Sequence, residues 1–419
     1  MARGSRLVAV VAAALALLAV AFVGPTRAED TKWMTGWATA HVYQDNRQTF
    51  TMGAFPLQTV RQQTIRQVVQ TELEGSALRV RLSNFQGGQP VHFGHATVAI
   101  SAGGPALQPG TLRELTFDGE RSLVIPAGKN AVSDEVDLTV ERGDHLAISL
   151  YVVKADGPYS GHSEAKNVGY YSAPLTGDLA DDIVSPALTI PTPAWTWVQA
   201  VDVLAEPRPV IVVLGDSVSD GFLSPEVRQE WPGRLAERLG EQAVVINNAI
   251  DASIATPTAC ALCGPPLISR LHHDAIGLAG VTHVIVFVGV NDVTQLVSPT
   301  RITDAYAEAA RRLHLNGIEM ILATLTPRYD VALGWDPDVH GPNRHRVNNW
   351  IRANSALFDG IVDFDAALRW DVDPDRMFPA YDSGDNSHPN VLGMQVLAET
   401  VDIHLLDIST GQTSGDGGT

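Results

Sequence analysis

The sequence predicts a two-domain chain, an all-β sandwich or jelly roll followed by a three-layer α/β/α domain around a parallel sheet. Two observations predict it. Through residues 29–205, short alternating segments are separated by Gly, Pro and Asp turns, the pattern of an all-β unit. From Glu206-Pro207-Arg208-Pro209 onward, apolar strands alternate with helical segments, which implies a parallel sheet covered by helices on both faces.

In the first domain, Ala77–Leu82 alternates apolar and basic residues, as a half-buried strand does. His95–Ile100, Ser122–Ile125, Val136–Val140 and His145–Tyr151 are further strands, and Pro126-Ala127-Gly128 and Glu141–Asp144 are turns between them. Residues 172–196, with several prolines, read as a long surface connection that re-enters the packed region at Trp195 and Trp197.

In the second domain, residues 206–408, the strands are Val210–Leu214, Ala243–Asn247, Val281–Val288, Glu319–Thr324 and Gly360–Phe364. A helix over Thr303–Leu315 carries Ala305, Ala309, Ala310 and Leu313 on one side and ends before Gly317. A last helix opens near Pro389, with Met394, Leu397, Val401 and Leu405 at spacings of three and four. Arg328–Trp350, with Tyr329, Trp335, His340 and His345, reads either as a lip over a site or as a packed surface loop. Residues 409–419 have nothing to bury and read as a loose tail.

The chain ends flanking these domains carry their own signals. Arg3 and Arg6 precede an apolar run from Leu7 to Val23, broken by Gly24-Pro25. Thr26-Arg27-Ala28 then offers a small-x-small cleavage site, so residues 1–28 read as a secretory signal. The alternative is a retained anchor, for which the run is slightly short. Export with signal removal is expected, and no other stretch is apolar enough to span a bilayer. In that setting Cys260 and Cys263, the only cysteines, are expected to form a disulfide. No metal site is expected there, although His272 and His273 lie close by in sequence. The formal net charge of −18 argues against nucleic acid as a partner.

The chemistry is carried by Gly215-Asp216-Ser217. A buried strand ending there delivers a hydroxyl to the C-terminal edge of a parallel sheet, where ligands collect in open α/β folds. Its distant complement is Asp385-Asn386-Ser387-His388-Pro389-Asn390, a carboxylate and an imidazole three residues apart. Serine, histidine and aspartate are the parts of a nucleophilic hydrolase. Ser217 is the candidate nucleophile, His388 its base, and Asp385 the group that fixes the ring's tautomer.

Two more segments complete a pattern: Ile246-Asn247-Asn248-Ala249-Ile250-Asp251-Ala252-Ser253, and Gly289-Val290-Asn291-Asp292 after the third strand. Together the four motifs resemble the GDSL, or SGNH, hydrolase family, in order and over the whole C-terminal half. The β-rich first half is similar to the accessory domain of some secreted bacterial members. The resemblance implies a flavodoxin-like domain and cleavage of carboxylic esters through an acyl-serine, without metal or organic cofactor. It implies short acyl or acetyl substrates, on a polysaccharide or other glycan, or lipid esters. The alternatives are an acyltransferase with the same triad, or a catalytically decayed carbohydrate-binding protein. It also implies oxyanion donors at the backbone N–H of Ser217, a backbone N–H at Ala252 and the side-chain amide of Asn291.

The second motif departs from the family, which usually has glycine where Ala249 and Ala252 stand. If position 252 requires positive φ, alanine there adds strain of about 1 kcal/mol. Asp251 places a carboxylate where a neutral residue is usual and is expected to point away from the reacting oxygen. Asp216 is expected to support the nucleophile turn, and Asp292 to bond nearby backbone.

Overall fold

A computed structural model describes residues 31–44, 59–163, 169–224, 226–260 and 263–408. The signal at 1–28, the tail at 409–419 and the Ala261-Leu262 link between the cysteines lie outside the described residues.

The second domain is built on five parallel strands: β1 (Val210–Gly215), β2 (Val244–Asn247), β3 (Val281–Phe287), β4 (Glu319–Ala323) and β5 (Gly360–Val362). Their spatial order is β2-β1-β3-β4-β5, the flavodoxin-like arrangement. Every residue of β1 is buried, as expected of a strand covered on both faces. Alternation then divides it: Val210, Val212 and Leu214 enter one apolar cluster and Ile211 and Val213 the other. The first cluster takes in Leu267 and Leu271 of α3 (Leu267–Leu271), Ile302 and Tyr306 of α5 (Pro299–His314), and Val347 and Ile351 of α6 (Pro337–Ala353). The second takes in Leu235 of α2 (Trp231–Leu239), Phe364 of α7 (Phe364–Leu368), and Met394 and Leu397 of α8 (Val391–Thr400).

The first domain consists mostly of strands in antiparallel sheets. The smaller sheet runs Lys32–Ala38, Val198–Ala205, Leu78–Ser83, Asn130–Val132. The larger centres on Thr59–Gln70, His145–Asp156 and Val91–Gly103. Their inner faces meet in the same apolar cluster that covers one face of the parallel sheet. The chain therefore changes architecture after Ala205 without interrupting its core. Thr35 closes the junction: its backbone N–H donates to the Ala279 carbonyl at 2.9 Å, and its hydroxyl accepts from the Ala279 N–H at 2.9 Å.

Three expectations need correction. Val136–Val140 keeps its alternating burial but pairs only at its ends, through Val136 with Leu78 and Val140 with Gly75, so it is not a strand. Residues 172–196 are not only surface connection. Leu188–Thr192 adds a strand to the larger sheet, and the carbonyls of Ala180 and Asp182 accept from the buried Arg66 guanidinium. Arg328–Trp350 is largely α6, which begins at Pro337 under an Asp336 cap. Its sequence carries a proline, Pro342, inside the helix, and this masks the helical pattern.

Candidate active site

β1 ends at Gly215, where the chain folds back so tightly that a Cβ would lie 2.2 Å from the Ser219 hydroxyl. Only glycine fits that turn. Asp216 follows as the cap of the single-turn helix α1 (Ser217–Asp220), with Oδ1 accepting the Val218 N–H at 3.1 Å. This supports the nucleophile turn as expected. The Asp216 carboxyl is fully buried, and desolvation pushes its pKa up to about 6, against the Val218 N–H and the nearby His388 and Arg328.

The Ser217 hydroxyl lies 2.8 Å from His388 Nε2, and His388 Nδ1 lies 2.6 Å from Asp385 Oδ2. The other carboxylate oxygen of Asp385 accepts the backbone N–H of Ser387 at 2.9 Å and of His388 at 2.8 Å, and the Ser383 hydroxyl at 3.0 Å. Burial opposes the charge on Asp385, but the His388 ring and these N–H donors outweigh it and hold the carboxyl well below its ordinary range. Asn386, in the left-handed region at φ +60°, turns the loop, and its carbonyl accepts the Tyr329 N–H at 2.8 Å. The Phe222 ring packs 4.8 Å from the imidazole, which is nearly buried. With Nδ1–H directed at Asp385, the Nε2 lone pair faces the serine proton.

Ala252, in the second motif, has φ +54°. The left-handed backbone expected of a family glycine is therefore present with an alanine in it. The Asp251 N–H donates to Asp220 Oδ2 at 3.1 Å; against burial, Asp220 first and the Asp251 charge after it raise the pKa of His162 from the first domain. Asn291 sits in the first turn of α4 (Val290–Thr294). Its side-chain nitrogen donates one hydrogen to the Ser253 carbonyl at 3.0 Å, and its oxygen accepts from Arg328 Nη1 at 3.3 Å. An amide nitrogen carries two hydrogens, so one remains for a ligand. Asp292 accepts the N–H groups of Ala255 at 2.6 Å and Thr256 at 2.9 Å, the backbone role expected of it.

Residues 213–396 match the GDSL-like lipase/acylhydrolase family. This segment is a GDSL-like hydrolase domain. No curated protein sequence matches the chain. Similar solved structures include a member of the lipolytic protein G-D-S-L family from Veillonella parvula, 19% identical, covering 46% of this chain and 96% of that one, with a TM-score of 0.37. Another is a GDSL-like lipase from Bacteroides thetaiotaomicron, 16% identical, covering 47% of this chain and 87% of that one, with a TM-score of 0.36. By its family the GDSL domain is a carboxylic ester hydrolase.

Two arginines of the GDSL domain were not singled out by the sequence. Arg270 is almost wholly buried between the nucleophile strand and the second motif. It donates to the carbonyls of Asn248 at 2.7 Å and Gly215 at 3.0 Å, to the Ser253 hydroxyl at 3.2 Å, and to Asp274 at 3.1 Å. Asp274 in turn binds His273 Nδ1 at 2.6 Å, and His273 Nε2 lies 3.1 Å from Ser83 of the first domain. That engagement leaves His273 no role beside the cysteines. Arg328 forms a two-pronged pair with Asp330, at 2.8 and 2.7 Å, which fixes the guanidinium that meets Asn291. Neither arginine belongs to a spaced motif, so only the three-dimensional contacts reveal them.

The first domain reaches α1, the helix that opens on Ser217, directly. His162 Nε2 lies 3.1 Å from Asp220 Oδ1 at the end of α1. A cavity of about 120 Å³ opens beside this contact, bordered by Trp37, Glu72, Arg228 and Asn247. Ser217, His388 and Asp385 do not line it. Cys260 and Cys263 are joined, with their Cα atoms 5.3 Å apart.

Proposed function

We propose that the chain is an exported serine esterase that hydrolyses carboxylic esters, short acyl or acetyl groups on a glycan or lipid esters, through an acyl-Ser217 intermediate. The observation that carries the reading is the relay of 2.8 Å from Ser217 Oγ to His388 Nε2 and 2.6 Å from His388 Nδ1 to Asp385. A serine hydroxyl is a weak nucleophile until a base takes its proton. In the proposed first step His388 Nε2 accepts that proton while Oγ bonds to the ester carbonyl carbon. The carbonyl π electrons move to its oxygen, which the N–H groups of Ser217 and Ala252 and the free amide hydrogen of Asn291 stabilise. The tetrahedral adduct then expels the alkoxy oxygen, which takes the proton from His388. Water repeats the sequence on the acyl-serine, and the acid leaves. Asp385, held ionised, stabilises the imidazolium formed twice in the cycle. Arg328 acts as a positioning residue, holding the Asn291 oxygen so that its nitrogen faces the reacting centre.

Formation of an intact triad favours an active enzyme over a decayed binding protein. A panel of p-nitrophenyl esters of increasing chain length, together with acetylated glycans, tests the reading. Ser217→Ala should fold normally and lose at least about three orders of magnitude in turnover. Turnover above about a tenth of wild type in that variant would remove Ser217 from its role. The chain length and carrier that give the highest rate decide among short acyl groups, glycan acetyl groups and lipid esters. Product partition toward an added alcohol acceptor at the expense of hydrolysis would mark a transferase.

A further inference from the structure

At the edge of the parallel sheet opposite the triad, three potential ligand atoms converge. His283 lies near the start of β3 and pairs in register with Glu319, the first residue of β4. Asp407 comes from the segment just after the last helical turn, Ile403–Leu406. Ligand atoms of all three lie within 4.8 Å of one another. His283 Nε2 is 3.4 Å from Glu319 Oε2 and 3.9 Å from Asp407 Oδ2.

The imidazole is the decisive group. His283 is only 2% exposed, and its Nε2 has no hydrogen-bond partner among the described residues. Nδ1 lies 2.8 Å from the Thr282 hydroxyl, which lies 3.3 Å from the Val210 carbonyl. The hydroxyl has one proton. Given to the Val210 carbonyl, it leaves the Thr282 oxygen to accept from Nδ1–H, and the lone pair is then on Nε2. Glu319, Asp407 and Asp359 are the carboxylates that face the ring. Asp359 is itself engaged, with His314 Nε2 and the Met320 N–H each at 2.7 Å from its Oδ2. A buried ring nitrogen that has two carboxylate oxygens within 4 Å is suited to a cation lying between them.

We propose that His283 Nε2, Glu319 and Asp407 form a site for a divalent transition metal of the zinc class, with water completing the coordination. Zinc bonds of about 2.0–2.2 Å in a tetrahedron place neighbouring ligand atoms about 3.3–3.5 Å apart. The observed 3.4 Å meets that spacing, and the 3.9 Å closes by a small movement of the exposed Asp407 side chain. One imidazole with two carboxylates suits zinc better than calcium, which takes six to eight oxygens. The site is remote from the reacting serine, so its role is structural: it ties the segment after α8 to the sheet.

The test uses the full chain, stripped with chelator and titrated with zinc chloride by calorimetry, alongside thermal unfolding with zinc, calcium or magnesium. One equivalent of zinc should bind and raise Tm, with no matching effect of calcium or magnesium. Glu319→Gln and Asp407→Asn should each weaken zinc by about tenfold or more, remove the rise in Tm, and leave ester turnover unchanged. An anomalous difference peak should lie at His283 Nε2. Absence of saturable binding, retention of wild-type affinity in both variants, or a peak at other histidines would each overturn the proposal.

Discussion

The two flanks of the reaction centre differ in how far apart their supports lie in the chain. On the triad flank, Asp385 reaches His388 across one turn, and three further donors to the same carboxylate come from Ser383, Ser387 and His388 itself. On the proposed oxyanion flank, the second motif is held by Arg270 and Asn291, and Ala255 and Thr256 just after it by Asp292, all from well beyond it in sequence. Asn291 depends in turn on Arg328 and Asp330. The first flank is a local motif that can be carried on one loop. The second is a buried network that forms only when β1, α3, α4 and the Arg328–Asp330 segment are all in place.

The strongest way to break the comparison is to remove Arg270. Its guanidinium serves two backbone carbonyls, a hydroxyl and a buried carboxylate. Losing one partner of a buried pair costs about 3–5 kcal/mol. Arg270→Met should therefore unfold at markedly lower denaturant than wild type. A loss under about 1 kcal/mol, measured by urea unfolding, would show that the flank is held by apolar packing instead.

Asn291→Ala comes next. It removes a side-chain donor proposed to act on the developing oxyanion, so kcat should fall by about a hundredfold with little change in KM. Arg328→Ala should have a smaller kcat effect of the same kind. If loss of Asn291 raises KM and spares kcat, the amide binds substrate and does not stabilise the transition state.

The triad and most of the second domain were legible because each signal is local. The strand-to-turn switch at Gly215, the Asp385-x-x-His388 spacing and the helix at Met394–Leu397 each lie within a few residues. At Ala252 the sequence showed only that alanine stands where the family usually has glycine, leaving positive φ as a condition, and φ is +54°. Arg270 and Arg328 were not legible, because an arginine in a loop or helix normally reads as solvated, and only the burial of Arg270 and the contacts of Arg328 with Asp330 and Asn291 identify them as clamps. Val136–Val140 misled for a related reason: alternation records which side chains are buried, while strand pairing also requires a partner backbone along the whole segment.

Asp216 belongs to the triad flank but carries a cost of the buried kind. Its pKa is pushed up to about 6, so the folded protein favours its protonated form. Below the unfolded value of about 4 the group is protonated in both states and adds no penalty. Between about pH 4 and 6 the unfolded chain releases a proton that the folded protein still holds, so wild-type stability falls on this account and levels off above about 6. Asp216→Asn retains the oxygen that accepts from Val218 and does not titrate. The stability of the variant relative to wild type should therefore improve between pH 4 and pH 7, by on the order of 2–3 kcal/mol. The pH difference, followed by chemical denaturation, is the readout, since any constant offset from the amide cancels. A flat difference would mean that Asp216 is ionised in the fold at little cost.

The smallest effect is expected at Ala252, where the oxyanion flank departs from the family. An L-residue at φ +54° is strained relative to glycine by about 1 kcal/mol. Part of that gain is offset because glycine is more flexible in the unfolded chain. Ala252→Gly should therefore be more stable by up to about 1 kcal/mol. The backbone N–H proposed as an oxyanion donor survives the change, so turnover should stay close to wild type. Asp251→Ser separates the remaining possibility, because a carboxylate accepts and cannot stabilise an oxyanion. It should be near neutral for turnover, or faster if the charge reaches the reacting oxygen. Lost stability in Ala252→Gly would show that the alanine methyl packs usefully. Abolished turnover in a folded Asp251→Ser would place that carboxylate, and not the Ala252 N–H, at the centre of the second motif.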